Sequence, residues 1–412
     1  MKKRFVKRFA LFIAVAITIS IYGCKTTKKG GTPDGDKPYL IMLSLDGFRW
    51  DYPLRFNTPV LDSLASAGVF AELKPCFPSK TFPNHYSIAT GLYPDHHGIV
   101  LNNFYAPLLH RNYSITDRNS VRDGVFYGGE PLWVTAQKQH LNNAVLFWVG
   151  SEADIRGIAP QRRYNYNQSL PFESRIDSIT TWLNLPPKIR PHLILWYYHE
   201  PDHTGHIDGP YGTKTKETVE QLDKWLGTFF NKMRKLPDFD KFNFIITSDH
   251  GMGEISSNKA LLLDKLIDTS DIEIINGGNP VFNLKVKAGR VEKVYGQLKK
   301  CRHISVWKHN GLPPRLHYGT NPRTLDLTVV ADTTWSLYLN EKDMRNEKGT
   351  HGYDNNWRAM HAIFYAAGPA FKKGYRHHVF ENINIYPLVT HILNLKPAKT
   401  DGNFNTVKEM LK

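Results

Sequence analysis

Three apolar runs, each ending on a side chain of metal-binding type, constrain this chain more than any other feature. YLIMLSLD ends at Asp46, LILWYYHEP leads into Asp202, and FNFIITSDHG closes on Asp249 and His250. A strand with one wet face alternates apolar and polar residues. A run that is apolar throughout belongs to a sheet covered on both sides, the usual state of parallel sheets. In an open parallel α/β sheet the carboxyl ends of the strands converge on one crevice, so residues far apart in sequence meet there. Alternation of such runs with helical stretches from Pro38 to Lys412 predicts one large α/β domain. Between Asp264 and about Lys348 the pattern changes: VFNLKV alternates, VEKVYGQLKKC reads as a short amphipathic helix, and ISVWKH and LDLTVVA read as strands. This is a small α+β insertion at the rim of the main sheet, because the chain must return to supply His351.

The first residues are an address. MKKRFVKR is a charged leader, Ala10 to Tyr22 is a short apolar run, and Ile21-Tyr22-Gly23-Cys24 has the form of a bacterial lipobox. That run is short for a spanning helix, which needs about 20 residues. The expectation is a signal peptide over residues 1–24, a membrane link through lipidated Cys24, a flexible tether over 25–37 and a catalytic domain over 38–412, exported to the periplasm or cell surface. An uncleaved N-terminal anchor is the alternative. The chain carries 53 basic and 38 acidic residues for a formal charge of +15. Five of the basic residues (Lys2, Lys3, Arg4, Lys7 and Arg8) precede Cys24, and the rest are dispersed. A basic surface attracts phosphates, but no arginine-rich or groove-reading motif accompanies it, so a nucleic-acid polymer is not the expected partner. Cys76 and Cys301 read as buried and unpaired.

Asp46, Thr81, Asp202, His206, Asp249, His250 and His351 are the side chains that a two-metal phosphoryl-transfer site needs. Asp202 and His206 stand four apart, on one face of a helical turn. Asp249 and His250 are adjacent and diverge unless their loop bends. His351, in GTHGYDN, lies in too polar a segment for a core histidine. PSKTFPNHYSIATGLYP places Thr81 at a helix start, with Pro83 in the first turn and Gly91 as the stop. There its hydroxyl is either an N-cap or a nucleophile at the positive end of the helix dipole. Mixed carboxylate and imidazole ligands suit zinc better than calcium or magnesium. His85, His96, His97, His199 and His203 are expected at the surface or behind the ligands, orienting them.

SLDGFRWDY, PSKTFPNHYSIATGLYPDHHGIVLNNFY, FWVGSEADIRG, EPDHTGHIDGP, TSDHGM and GTHGYDN resemble, in order, the signature blocks of the nucleotide pyrophosphatase/phosphodiesterase family of the alkaline phosphatase superfamily. The resemblance implies a three-layer α/β/α sandwich with a small α+β insertion. It implies two zinc ions per chain, one held by Asp202, His206 and His351 and the other by Asp46, Asp249 and His250, with Thr81 bridging toward the second. It makes Thr81 the nucleophile of a covalent phospho-threonine route and Asn102 a donor to a phosphate oxygen. Phe82, Tyr166 and Tyr197 match aromatics that bracket a nucleobase in nucleotide-cleaving members. His199 departs from the family pattern, which carries Glu there. The implied activity is cleavage of nucleotide phosphodiester or pyrophosphate bonds with release of nucleoside monophosphates. The alternative is a phospholipase C-like action on lysophospholipid or choline phosphodiesters. A phosphomonoesterase, which would want a phosphate-gripping arginine near Thr81, and a non-enzymatic binding lipoprotein rank behind these.

Overall fold

Runs apolar on both faces form central strands only if helices cover both faces of the sheet, and the computed structural model, which describes residues 37–412, has this arrangement. Six strands of the main sheet come first in the chain: β1 (Tyr39–Leu45), β2 (Val69–Lys74), β3 (Asn143–Leu146), β4 (Arg162–Tyr164), β5 (Leu193–Tyr198) and β6 (Phe242–Thr247). β1, β3, β5 and β6 are buried along their whole length. β1 lies between β5 and β6, parallel to both, with Ser44 level with Tyr197 and Thr247. Asp46, Asp202 and Asp249 therefore leave the sheet at the same end.

Between β6 and the return to the main sheet, a separate sheet is built from four strands: β7 (Ile272–Gly278), β8 (Val281–Val286), β9 (Ile304–Lys308) and β10 (Leu327–Ala331). They pair antiparallel in the order β7-β8-β10-β9. The helix Val291–Lys299 buries Val294 and Leu298 against this sheet, in a core of its own with Phe282, Leu284, Val306, Leu327 and Val329.

The main sheet is not parallel throughout. β11 (Ala362–Ala367) pairs antiparallel with both β6 and β2, giving the order β2-β11-β6-β1-β5-β3-β4. The short strands Tyr375–Arg376 and Phe380–Glu381 pair with the outer side of β2. The reason is chain direction. After His351 the chain is already at the carboxyl end of β1, β5 and β6, so the next strand runs back the other way.

One face of the sheet is covered by three helices, α1 (Pro59–Ala67), α4 (Phe172–Leu183) and α6 (Thr213–Met233). α6 buries Val219, Leu222, Leu226, Phe229 and Met233, the stripe that a 3.6-residue period places on one side. The opposite face is covered by α2 (Thr81–Thr90), α3 (Leu132–Lys138) and α7 (Ile385–Ile392). No helix among the described residues is long and apolar enough to cross a membrane. The leader, the lipobox at Cys24 and the tether up to residue 36 lie outside the described residues. Cys76 is buried and unpaired as expected, with its thiol on Asn382 Oδ1 at 3.1 Å. Cys301, also unpaired, is only half-buried, because it follows the insertion's amphipathic helix rather than lying inside its core.

Candidate active site

The strand ends set the floor of the site. The β1–β5 ladder continues past the sheet, with Asp46 N donating to Tyr198 O at 2.9 Å and Asp202 N to Asp46 O at 3.0 Å. Such an approach requires glycine at position 47: its φ is +66°, and a Cβ there would lie 2.8 Å from the Asp202 Cα. Asp202 opens the short helix α5 (Asp202–Asp208), and one turn on, His206 Nε2 stands 3.5 Å from Asp202 Oδ1. His351 Nε2 reaches the same oxygen at 3.5 Å. On the other side, His250 Nε2 is 3.0 Å from Asp249 Oδ2 and 3.4 Å from Asp46 Oδ1. The bend after β6 thus lets two adjacent side chains face one point.

Three imidazoles are wired alike. The Nδ1 atoms of His206, His250 and His351 lie on the carbonyls of Gly349, Gly251 and Ser79 at 2.9, 2.8 and 2.8 Å. A carbonyl only accepts, so each Nδ1 carries a hydrogen and each Nε2, directed at the carboxylates, is the nitrogen free to offer a lone pair to a cation. This is how metal-ligating histidines are commonly oriented. Asp46 Oδ1, Asp202 Oδ1 and Asp249 Oδ2 are buried without a hydrogen bond. Carboxylate oxygens buried close together without a hydrogen bond repel one another, and a divalent cation between them removes the conflict. The donor set fits such ions: ligand atoms of Asp46, Asp249 and His250 lie within 4.8 Å of one another, as do those of Asp202, His250 and His351. His250 stands between the two groups, its ring stacked on His351 with centroids 3.6 Å apart.

The electrostatics carry the same strain. Burial, with Asp249 and Asp202 nearby, pushes the Asp46 carboxyl well above its ordinary range, against the bond from Tyr197. Burial opposes ionisation of Asp249 too, but His250 and His85 outweigh it and hold that carboxyl well below the usual value. Burial, with His250, Lys80 and His206 beside it, keeps His351 neutral. Burial also pulls Lys80 down to about 8, against Glu347 and Asp202.

Thr81 is the first residue of α2 and not its cap. Lys80 occupies the cap position without capping the helix by its own side chain, and Gly91 ends the helix with φ +66°. The Thr81 hydroxyl instead lies 3.2 Å from His250 Nε2. Asn102 Oδ1 accepts from the Phe82 N–H at 3.0 Å, so it takes over the capping role and stands beside the first turn of α2. Phe82 is half-buried, its ring centroid 6.3 Å from Tyr113. Tyr197 is buried and donates its hydroxyl to Asp46 Oδ2 at 2.6 Å. Tyr166 is half-buried, 6.2 Å from Tyr197 and 5.5 Å from Phe147 by ring centroid.

The neighbouring histidines divide. His85 is buried, bridging Thr81 O at 3.0 Å and Ser44 Oγ at 2.9 Å with Asp249 Oδ2 at 3.3 Å, so it braces the site from behind. His97 is buried on Ser87 Oγ, His96 and His203 are exposed, and His199 is half-buried, with Arg175 and His203 adding to the burial that lowers it to about 4. Sequence reasoning missed Ser79 and Lys80. Ser79 holds His351 by its carbonyl and Gly352 N by its hydroxyl at 3.1 Å. The Lys80 ammonium reaches Asn279 O at 2.6 Å. Their only signal was adjacency to Thr81.

A mixed sheet between two helical layers, with acidic and imidazole side chains gathered at the carboxyl end of its parallel strands, defines a hydrolase of the alkaline-phosphatase-like fold. Within that class the chain belongs to the type I phosphodiesterase / nucleotide pyrophosphatase family, whose model matches residues 40–354, and it is a phosphodiesterase. Human bis(5'-adenosyl)-triphosphatase ENPP4 is 38% identical over 380 residues, covering 91% of this chain and 82% of that protein. Human ectonucleotide pyrophosphatase/phosphodiesterase family member 1 is 36% identical over 94% of this chain, which spans 44% of that longer protein. Murine ectonucleotide pyrophosphatase/phosphodiesterase 5 superposes with a TM-score of 0.87 at 32% identity, over 91% of this chain and all of its own. An inactive threonine-to-alanine variant of that protein, in complex with AMP, superposes equally well.

Proposed function

We propose that the protein is an exported two-zinc hydrolase that cleaves nucleotide phosphodiester and pyrophosphate bonds through a covalent intermediate on Thr81 and releases nucleoside monophosphates. The observation that carries this reading is the Thr81 hydroxyl, free of any capping role and 3.2 Å from His250 Nε2. Asp202, His206 and His351 would hold one cation, and Asp46, Asp249 and His250 the other. When bound, the cations supply Lewis acidity, lowering the hydroxyl pKa of Thr81 and neutralising charge on the phosphoryl group and leaving oxygen. Thr81 Oγ1 forms the new bond to phosphorus as the bond to the leaving group breaks, and water then cleaves the threonyl diester. Asn102, with its carbonyl oxygen spent on Phe82 N–H, has its amide hydrogens left to stabilise charge on the phosphoryl oxygens. Tyr197 fixes one Asp46 oxygen and leaves the other for a cation. The AMP complex of a relative and the names of the similar proteins support a nucleotide as substrate.

Initial rates on a nucleotide aryl ester, an aryl phosphocholine and an aryl monophosphate, measured side by side, test the substrate class. The nucleotide ester is expected to lead; a preference for the phosphocholine would move the assignment to the lipid branch. Export and lipid anchoring rest on the leader and Cys24 alone. Expressed with its own leader, the protein should partition with membranes, and Cys24→Ala should release it or block its processing. An unchanged, membrane-bound Cys24→Ala protein would point to an uncleaved anchor.

A further inference from the structure

Arg175 is fully buried, and among the described residues no carboxylate pairs with it. A guanidinium stays charged inside a protein, so burying one without a counter-ion is costly unless many dipoles solvate it. Here backbone carbonyls do so. Nε donates to Leu170 O at 2.9 Å, Nη1 to Tyr197 O at 2.8 Å, and Nη2 to Gln168 O at 3.1 Å and Asn167 O at 3.4 Å. The plane of the group also lies over two rings, 4.9 Å from the Phe147 centroid and 4.6 Å from that of Tyr198.

What these contacts hold is the segment around Tyr166. Three of the four carbonyls belong to residues 167–170, immediately after it, and the fourth belongs to Tyr197, whose ring lies beside it. On the other side, the Tyr166 N–H donates to Glu152 Oε1 at 3.0 Å, and Arg118 and Arg122 pair with that carboxylate. Phe147, whose ring meets that of Tyr166 edge-on at 5.5 Å, has φ +67°, a left-handed conformation that is costly for a bulky residue and persists only where its surroundings enforce it. Arg175 packs over that ring.

We propose that Arg175 is the positioning residue of the base-recognition wall: its guanidinium laces the 167–170 turn to the end of β5 and backs Phe147, so that Tyr166 is held ready to stack on a nucleobase. The inference rests on the nucleotide reading above and adds to it the device that makes the wall rigid. Arg175 touches no reacting atom, and three of its four carbonyl partners lie in the turn after Tyr166, so its loss is felt chiefly through Tyr166. Lysine keeps the charge but cannot serve carbonyls in four directions at once.

The test compares a nucleotide aryl ester with a small aryl diester that has no base. In Arg175→Met the kcat/KM for the nucleotide ester should fall about 5- to 150-fold, the range for loss of one stacking partner, chiefly through KM. The baseless ester should lose several-fold less, and Arg175→Lys should lie between wild type and Arg175→Met. Adding Arg175→Met to Tyr166→Ala should cost the nucleotide ester little more. If Arg175→Met fails to fold, Phe147→Leu removes only the ring between the guanidinium and Tyr166, and the same selective loss is expected. Equal losses on both esters, or undiminished use of the nucleotide ester, would overturn the role of Arg175 while leaving the nucleotide reading standing. A wild-type enzyme with no preference for the nucleotide over the baseless ester would overturn both.

Discussion

The floor of the site and its aromatic wall are built by different means. Asp46, Asp202 and Asp249 leave the ends of neighbouring strands, so their spacing follows from sheet register, and every facing imidazole is pinned by a backbone carbonyl. Tyr166 stands in a loop whose shape depends on Arg175, Glu152 and a strained Phe147. On the proposed roles this is a division of labour: the sheet would fix the chemistry, and side chains anchored on loop carbonyls would fix what is recognised. Changes on the floor should therefore lower turnover of every substrate, and changes in the wall should sort substrates by whether they carry a base.

Metal removal should have the largest effect. Purified protein is expected to carry close to two zinc ions per chain and to lose activity completely to a chelator, with recovery on zinc addition; full activity in metal-free protein, checked by elemental analysis, breaks the account of the floor. Thr81→Ala should cost at least about 1000-fold on both the nucleotide and the baseless ester, with metal content retained, and Thr81→Ser should keep a measurable fraction. An alanine variant within about tenfold of wild type would mean direct attack by water. Asn102→Ala should cost about 100- to 1000-fold, the usual loss for an oxyanion donor, again on both esters.

The sharpest use of the comparison lies in two tyrosines whose rings are 6.2 Å apart. Tyr197 spends its hydroxyl on Asp46, so Tyr197→Phe should lower kcat/KM on both esters by about 10- to 150-fold, the worth of a hydrogen bond to a charged group. Tyr166→Ala should lower it by about 5- to 150-fold on the nucleotide ester only. Steady-state kinetics on the two variants separate them, and equal losses in Tyr166→Ala would erase the boundary between floor and wall.

The floor was legible in the sequence because two signals coincided there. Apolar runs marked the strands, and each run ended on a residue whose chemistry has no packing purpose. The antiparallel course of Ala362–Ala367 was not legible, since AIFYAA reads the same in either direction and only the position of His351 at the far end of the sheet decides it. A helix-start threonine alone reads as either a cap or a nucleophile; that Lys80 occupies the cap position and Asn102 serves the Phe82 N–H depends on a contact across 20 residues. Tyr197 read as part of the aromatic wall, and only the fold shows its hydroxyl on Asp46. Arg175 and Ser79 act through backbone carbonyls, which every residue has, so no residue pattern announces them.

The central claim is that Thr81 carries the phosphoryl group between two displacements, and stereochemistry at phosphorus tests it most directly. Each in-line displacement inverts the centre. Hydrolysis of a chiral nucleotide phosphorothioate ester in isotopically labelled water should therefore proceed with net retention, the product of two inversions. Net inversion would mean that water attacks the substrate directly and that Thr81 forms no covalent intermediate.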